Sequence, residues 1–307
     1  MSDIVIKTDG LTKYFGTKPA LDHLTVSIPR GCICGFLGRN GAGKTTAIKL
    51  LLGLMQPTVG SSAVLGRDSL DLSPALKARI GYVTEGHHLL GWMTIAALEK
   101  FQAPFFPNQW DPGFFGEMID YFGLSPKQKI KHLSNGQRAQ VSLALTLAPN
   151  PEVLIMDDPT LGLDPAIRRQ FLEGMIHLIM KQGRTVLFSS HILADVERVC
   201  DRLLVLDHGV LRADCTLEQF RQSIRRVRVT FKKQAPVTID LAGLLNHDRQ
   251  GKEVDLLLVG TPQDTLEQWM DQNGGLKHES MPLTLEDQFI EFTAPMSPKR
   301  IMRWEDN

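Results

Sequence analysis

Nine residues of this 307-residue chain restrict its fold more than any others: Gly38-Arg39-Asn40-Gly41-Ala42-Gly43-Lys44-Thr45-Thr46. They follow a short apolar run, Cys32-Ile33-Cys34-Gly35-Phe36-Leu37, and open a helix-length segment, Thr45 to Leu54. The stretch fits G-x-x-x-x-G-K-[ST] in the strand-to-helix context that the pattern requires. A glycine-rich turn there lets backbone N–H groups converge on an anion at a helix N-terminus. Gly38, Asn40, Gly41, Ala42 and Gly43 read as a phosphate cradle, which Thr46 follows into the helix. Lys44 has the reach for β- and γ-phosphates, and the Thr45 hydroxyl suits Mg2+.

The rest of the pattern supplies a sheet to carry that turn. Residues 4–9 and 24–28 alternate as antiparallel strands do, whereas Val153–Met156, Thr185–Phe188 and Arg202–Leu206 are continuous apolar runs of buried parallel strands. Helix-length segments, Gly136 to Leu147 and Ala166 to Lys181, separate them. This alternation predicts an α/β fold: a P-loop NTPase core on a parallel sheet, with an antiparallel β subdomain. Residues 86–148 form an insert, mostly helical and rich in Phe and Trp at its start. After Phe220 the pattern changes to strands at 227–231 and 254–259 and helices at 265–271 and 284–292, the last opened by Thr284 and Asp287 as a capping box. The expected domains are therefore 1–220 and a small α+β extension, 221–307, whose last stretch from Pro295 is expected to fray.

Composition excludes several classes. Lys+Arg and Asp+Glu each number 34, a balance that argues against a nucleic-acid binder. No apolar run approaches the roughly 18 residues of a membrane span. Met1-Ser2-Asp3-Ile4 carries neither the basic nor the apolar region of a signal peptide. The expectation is a cytoplasmic protein, or one docked on the inner face of a membrane. Cys32 and Cys34 read as buried thiols rather than a metal site.

A phosphate cradle needs an acid to hold its metal. Val153-Leu154-Ile155-Met156 delivers Asp157 to the C-terminal end of a strand, where it is placed to hold Mg2+ through water. Asp158 follows and has the chemistry to orient or deprotonate an attacking water; Asp158-Pro159-Thr160 also reads as a plain turn. Leu133-Ser134-Asn135-Gly136-Gln137 opens a helix that Ser134 or Asn135 caps, a second anion-binding terminus. Leu161-Gly162-Leu163-Asp164 follows the acidic strand. His191, after Ser189-Ser190, is either structural or a group that meets a γ-phosphate.

In this order, GRNGAGKTT, LSNGQ, LIMDDPT, LGLD and SSHIL resemble the nucleotide-binding subunit of an ABC transporter over residues 3–220. The resemblance implies a head-to-tail homodimer closing on two ATP, with Ser134, Gly136 and Gln137 of one copy completing the site formed by Gly41, Gly43, Lys44 and Thr45 of the other. Tyr14 matches the aromatic that stacks on adenine, a contact worth about 1 kcal/mol. Its alternative is a half-buried strand residue, with Phe15 in the core. Three positions depart from the family. Asp158 stands where a catalytic glutamate is usual, one methylene short, and an ångström of misplacement can cost about 10²-fold in rate. Glu85 stands for the glutamine that links Mg2+ to the insert; it remains a metal ligand and catalytic candidate, and exporter-type members carry similar acids. Asn135 replaces the first signature glycine.

The absence of a span implies a separate membrane permease. His87-His88-Leu89-Leu90-Gly91-Trp92-Met93 offers it an apolar surface, or else packs the insert's own core. The single motif set and the extension resemble exporters with separately encoded permeases. The alternative is a soluble ABC-type ATPase acting on ribosomes or DNA, although tandem motif sets and a coiled-coil insertion are both missing. A GTPase or small-molecule kinase lacks the guanine motif and leaves LSNGQ without a role. The basic stretch Arg221, Arg225, Arg226, Arg228, Lys232 and Lys233 reads as a solvated strand face or as a contact for anionic lipid or an acidic partner.

Overall fold

Continuous apolar runs become strands buried along their whole length, which only a sheet covered on both faces allows. The computed structural model describes residues 3–180, 183–294 and 302–303. The chain divides into two compact units, Met1–Asp214 and Cys215–Asn307. In chain order the first unit contains β1 (Ile4–Phe15), β2 (Lys18–Pro29), β3 (Ile33–Leu37), α1 (Lys44–Leu51), β4 (Val59–Val64), β5 (Arg67–Asp68), α2 (Pro74–Lys77) and β6 (Ile80–Val83). There follow α3 (Ile95–Gln102), α4 (Pro112–Tyr121), α5 (Asn135–Leu147), β7 (Val153–Asp157), α6 (Pro165–Met180), β8 (Thr185–Ser190), α7 (Leu193–Val199), β9 (Arg202–Asp207) and most of β10 (Val210–Thr216), whose last two residues fall past the boundary.

Within this unit the main sheet runs β10-β9-β3-β8-β7-β6. β3 pairs in parallel with β8 and β9, and β7 with β8 and β6. β3, β7 and β8 have no exposed residue. A second sheet, β2-β1-β4-β5, is antiparallel. Its inward residues, Ile6, Leu11, Leu21, Leu24 and Ile28, join Phe36, Ile48, Leu50 and Ile155 in one core. β1 is longer than its alternation suggests because hydroxyls repair a break at Gly10: Gly10 N–H donates to Thr25 Oγ1 and Val26 N–H to Thr8 Oγ1. α1 stops at Leu51, short of Leu54, where the Leu54 N–H turns back to the Lys49 carbonyl. α6 ends at Met180, and Lys181 lies outside the described residues.

The insert packs Leu98, Phe115, Met118, Ile119 and Phe122 inward, with Trp110 5.9 Å from Phe115. His87 and Met93 are buried, whereas Leu90 and Trp92 are exposed, Trp92 to 71%. The stretch 87–93 thus divides between the two roles its sequence allows.

The second unit holds α8 (Leu217–Ser223), β11 (Ile224–Phe231), β12 (Leu244–Gln250), β13 (Glu253–Val259), α9 (Gln263–Asn273), β14 (Gly275–Met281) and α10 (Leu285–Phe292). Its sheet is antiparallel in the order β12-β13-β11-β14. Val227, Val229, Phe231, Val254, Leu256 and Leu258 pack on Leu266, Trp269 and Met270 of α9. The unit begins before Phe220 because α8, opened by a Thr216–Gln219 capping box, packs Phe220 edge-on against Phe292. The arginines of β11 have acceptors within the unit: Arg228 grips Asp255 at 2.6 and 2.8 Å, Arg226 meets Glu291 at 2.9 Å, and Arg225 reaches Gln263 and the Thr261 carbonyl. That pairing favours the solvated face over an unneutralised lipid contact. The fraying expected from Pro295 concerns residues outside the described set, apart from 302–303. Among the described residues no helix is long and apolar enough to cross a membrane.

One ion cluster ties the sheet's N-terminal end. Glu152, just before β7, accepts from Arg79 and from Arg30, and Arg30 also holds Asp3. The Arg79 hydrogen bond, then Arg30, holds the Glu152 carboxyl below its usual 4.5. A depressed acid stabilises the fold above its unfolded pKa and loses that contribution as pH falls through the folded value. Glu152→Gln is therefore expected to lower the melting temperature at pH 7, with the difference closing below about pH 4.5. Thermal melts across pH 3–7 check this; a difference independent of pH would contradict it.

Candidate functional site

β3 ends at Leu37 and α1 starts at Lys44, so the glycine-rich segment is the whole connection. Gly43 caps α1 at φ 109°, and a Cβ there would lie 2.3 Å from the Ala20 carbonyl oxygen. No L side chain satisfies both conditions. α1 has no side-chain cap and no acid in its first turn, so its leading N–H groups remain donors for an anion. The Lys44 ammonium donates to the Gly38 carbonyl at 2.7 Å, and the residue is 6% exposed. Burial lowers its pKa, while Asp158, Asp157 and Glu85 pull it back up. The Lys44 ammonium and two carboxylates, Glu85 and Asp158, thus share a cavity of about 300 Å³ lined also by Ala20, the rest of Asn40 to Thr46, and Leu161.

The acidic turn is held at each residue. Ser189 Oγ donates to Asp157 Oδ1 at 2.9 Å and accepts the Asp158 N–H at 3.0 Å. Asp158 adopts φ 47°, in the left-handed region that non-glycine residues rarely occupy. His191 Nδ1 lies 2.9 Å from both of its carboxylate oxygens. A carboxylate only accepts, so Nδ1 carries the proton. His87 Nε2 lies 2.9 Å from the Pro159 carbonyl, and Thr160 donates to Asp195 at 2.6 Å. Burial raises the Asp195 carboxyl against the pull of the Thr160 hydroxyl. The structure thus joins two of the candidates, the Asp158 carboxylate and the His191 imidazole, by hydrogen bonding.

Other sequence candidates lie elsewhere. Ser134 caps α5, accepting the Gln137 N–H at 3.2 Å while the Gln137 side chain accepts the Ser134 N–H at 3.0 Å. A Cβ on Gly136 would lie 2.3 Å from Ile167 Cγ2, so packing alone already demands glycine there. Ser134, Gly136, Gln137 and Tyr14 do not line this cavity. Tyr14 is 39% and Phe15 52% exposed, which removes the alternative of Phe15 in the core: the end of β1 leaves both rings on the surface. Asp195 lies in no motif, and Ser189 and His87 stand in the sequence only as neighbours of His191 and as part of the 87–93 stretch, not as ties on the acidic turn. Two hydroxyls ending a wholly buried strand beside the acidic strand were the available signal for Ser189.

The donors fit Mg2+. Thr45, Glu85 and Asp158 line the cavity, and Asp157, next to Asp158 in the chain, is buried, 1% exposed. Among the described residues no three acidic, His or Cys side chains converge to enclose a metal by themselves. One hydroxyl with one or two carboxylates is the donor set of a hard cation shared with phosphate oxygens.

Residues 21–161 match the family model described as ABC transporter. The bacitracin transport ATP-binding protein BcrA of Bacillus licheniformis is 32% identical, covering 72% of this chain and 73% of its own length. The chain belongs to the ABC transporter ATP-binding family. As a member it is an ATPase, with the α/β fold of ATP-binding cassettes. The uncharacterized ABC transporter ATP-binding protein YdbJ of Bacillus subtilis is 27% identical over 95% of this chain and 96% of its own, a likeness that extends into the second unit. A solved ATP-binding subunit of an ABC transporter, 28% identical, superposes with a TM-score of 0.63 over 71% of this chain and 92% of that one.

Ser189 is fully buried and serves two groups of the acidic turn. Ser189→Ala leaves a buried carboxylate oxygen and a buried N–H short of a partner, at a cost of about 1–3 kcal/mol. Urea denaturation is expected to show that loss together with slower ATP hydrolysis; unchanged stability would contradict the bridging role.

Proposed function

We propose that this chain is the ATPase subunit of a multi-subunit exporter, docked through a separate membrane permease on the inner face of the membrane. Two copies close head to tail on two Mg-ATP, and closure drives transport. The observation carrying this reading is the half-built site: the cavity gathers Lys44, Asp158 and Glu85, while the Ser134–Gly136 helix start stands outside it. A helix terminus preformed by its own capping box and absent from the chain's own cavity is suited to serve a second copy. Export is supported by relatives named for bacitracin transport, daunorubicin/doxorubicin resistance and Nod factor export. The exposed Trp92, Leu90, Phe101 and Phe105 of the insert offer a permease apolar contact.

Each residue then has a role. The loop N–H groups and Lys44 hold the β- and γ-phosphates, and Tyr14 stacks on the base. Thr45, Asp157 and Glu85 hold Mg2+, which supplies charge neutralisation for the phosphates. Asp158 orients and deprotonates water, and His191 fixes the Asp158 carboxylate beside the γ-phosphate. The left-handed backbone of Asp158 and its grip by His191 are the means by which the shorter acid reaches its water.

Asp158→Asn keeps the shape but removes the base. Turnover is expected to fall by about 10²–10⁴-fold, while ATP binding persists and an ATP-bound dimer accumulates on size-exclusion chromatography. Unchanged turnover would overturn the role of Asp158. For the partner, tagged protein is to be recovered from detergent-solubilised membranes: a polytopic protein supports the permease, and ribosomal or DNA-associated proteins without one would overturn it.

A further inference from the structure

The loop between β6 and α3 is the root of the insert, and it contains the cavity-lining Glu85. Two residues on, His87 is turned inward. Gly86 and His87 take successive left-handed conformations, φ 79° and 46°, and the His87 N–H returns to the Thr84 carbonyl. An L side chain is seldom held in that region without compensating contacts. The imidazole is 3% exposed, and its Nε2 lies 2.9 Å from the Pro159 carbonyl. A carbonyl only accepts, so Nε2 is the donor; Nδ1 is buried with no partner. Backbone strain and an orphaned nitrogen are thus both retained around one hydrogen bond.

That bond ends on the peptide carbonyl next to Asp158. Among the described residues, other side-chain ties on the acidic turn come from β8, the loop after it and α7: Ser189, His191 and Asp195. These belong to the sheet core. His87 ties the same turn to the root of the insert, so a displacement of the insert shifts Glu85 and the Pro159 carbonyl together. We propose that His87 is a positioning residue, holding the Asp158–Pro159 segment to the loop at the root of the insert and so setting where the Asp158 carboxylate stands. The proposal rests on the reading of Asp158 as the hydrolytic carboxylate.

Steady-state hydrolysis of Mg-ATP by the full chain tests it, with binding of a fluorescent ATP analogue and a thermal melt on each variant. His87→Ala is expected to lower kcat by between about tenfold and 10²-fold, with KM and nucleotide affinity within about twofold, since the phosphate loop is untouched. His87→Gln, whose amide nitrogen reaches where Nε2 does, is expected to recover most of the rate, and the shorter His87→Asn is not. Wild-type kcat in His87→Ala, a parallel loss of nucleotide affinity, or Gln performing no better than Ala would each overturn the proposal. If His87→Ala does not fold, the Gln–Asn comparison decides, and equal rates overturn it. Asp158→Asn measured alongside separates the two levels: full turnover there removes the reading of Asp158 itself, whereas lost turnover with an indifferent His87 removes only this inference.

Discussion

The register of three buried parallel strands decides where the chemistry of this chain sits. Leu37 of β3 lies opposite Ser190 of β8, and Asp157 of β7 opposite Ser189. The phosphate loop, the acidic turn and the serine–histidine segment therefore emerge side by side from one sheet end. A slip of one residue would turn Asp157 and Ser189 to opposite faces and break their hydrogen bond. The burial that fixes this register is the same burial that makes these strands apolar throughout.

Placing charge at the end of such strands has an electrostatic cost that the site meets internally. Lys44 is desolvated, which favours its neutral form, and three carboxylates oppose that shift. Two of those carboxylates in turn are bound by groups fixed in the core: Asp157 by Ser189, Asp158 by His191. Breaking one partner of such a group costs more than the pair contributes, because the other is left buried and uncompensated. The acidic turn is consequently rigid on the side of the core. A further tie runs through His87 to the loop at the root of the insert, the side from which, on the proposal above, its geometry is altered.

The fold was legible where residues are buried on both faces or sit at a motif. β3, β7, β8 and β9, the starts of α5 and α6, and the Thr284–Asp287 cap follow from apolar runs, glycine placement and capping chemistry. β4, Val-Gly-Ser-Ser-Ala-Val, was not legible: half of it is exposed and its small polar residues carry little β signal. β12, Leu-Leu-Asn-His-Asp-Arg-Gln, and β14, exposed edge strands of the second unit, hide for the same reason. Within the site, Lys44, Thr45 and Asp157 stood out because phosphate and metal chemistry demands their type at their spacing, Asp158 because it follows the acidic strand, and Glu85 only through the resemblance to the family. His87 was not, since its role depends on a left-handed backbone that turns it inward and on a carbonyl 72 residues away. A hydrogen bond to a main-chain atom leaves no mark in the residue types at either end.

The same distinction governs the helix start at Ser134. Its sequence suggests anion binding, and the structure adds that it is complete before any partner arrives. Ser134 and Gln137 satisfy one another, and Ile167 closes on Gly136 so tightly that the helix start cannot shift without moving α6. In the proposed dimer this half of the site would therefore be presented already ordered, and closure would not have to fix its side-chain rotamers. Preorganisation of that kind strengthens association by reducing the entropy lost on binding rather than by adding contacts. It also accounts for the substitution at Asn135. With the cap held by Ser134 and the close packing by Gly136, position 135 is an exposed first-turn residue whose own side chain neither interaction needs.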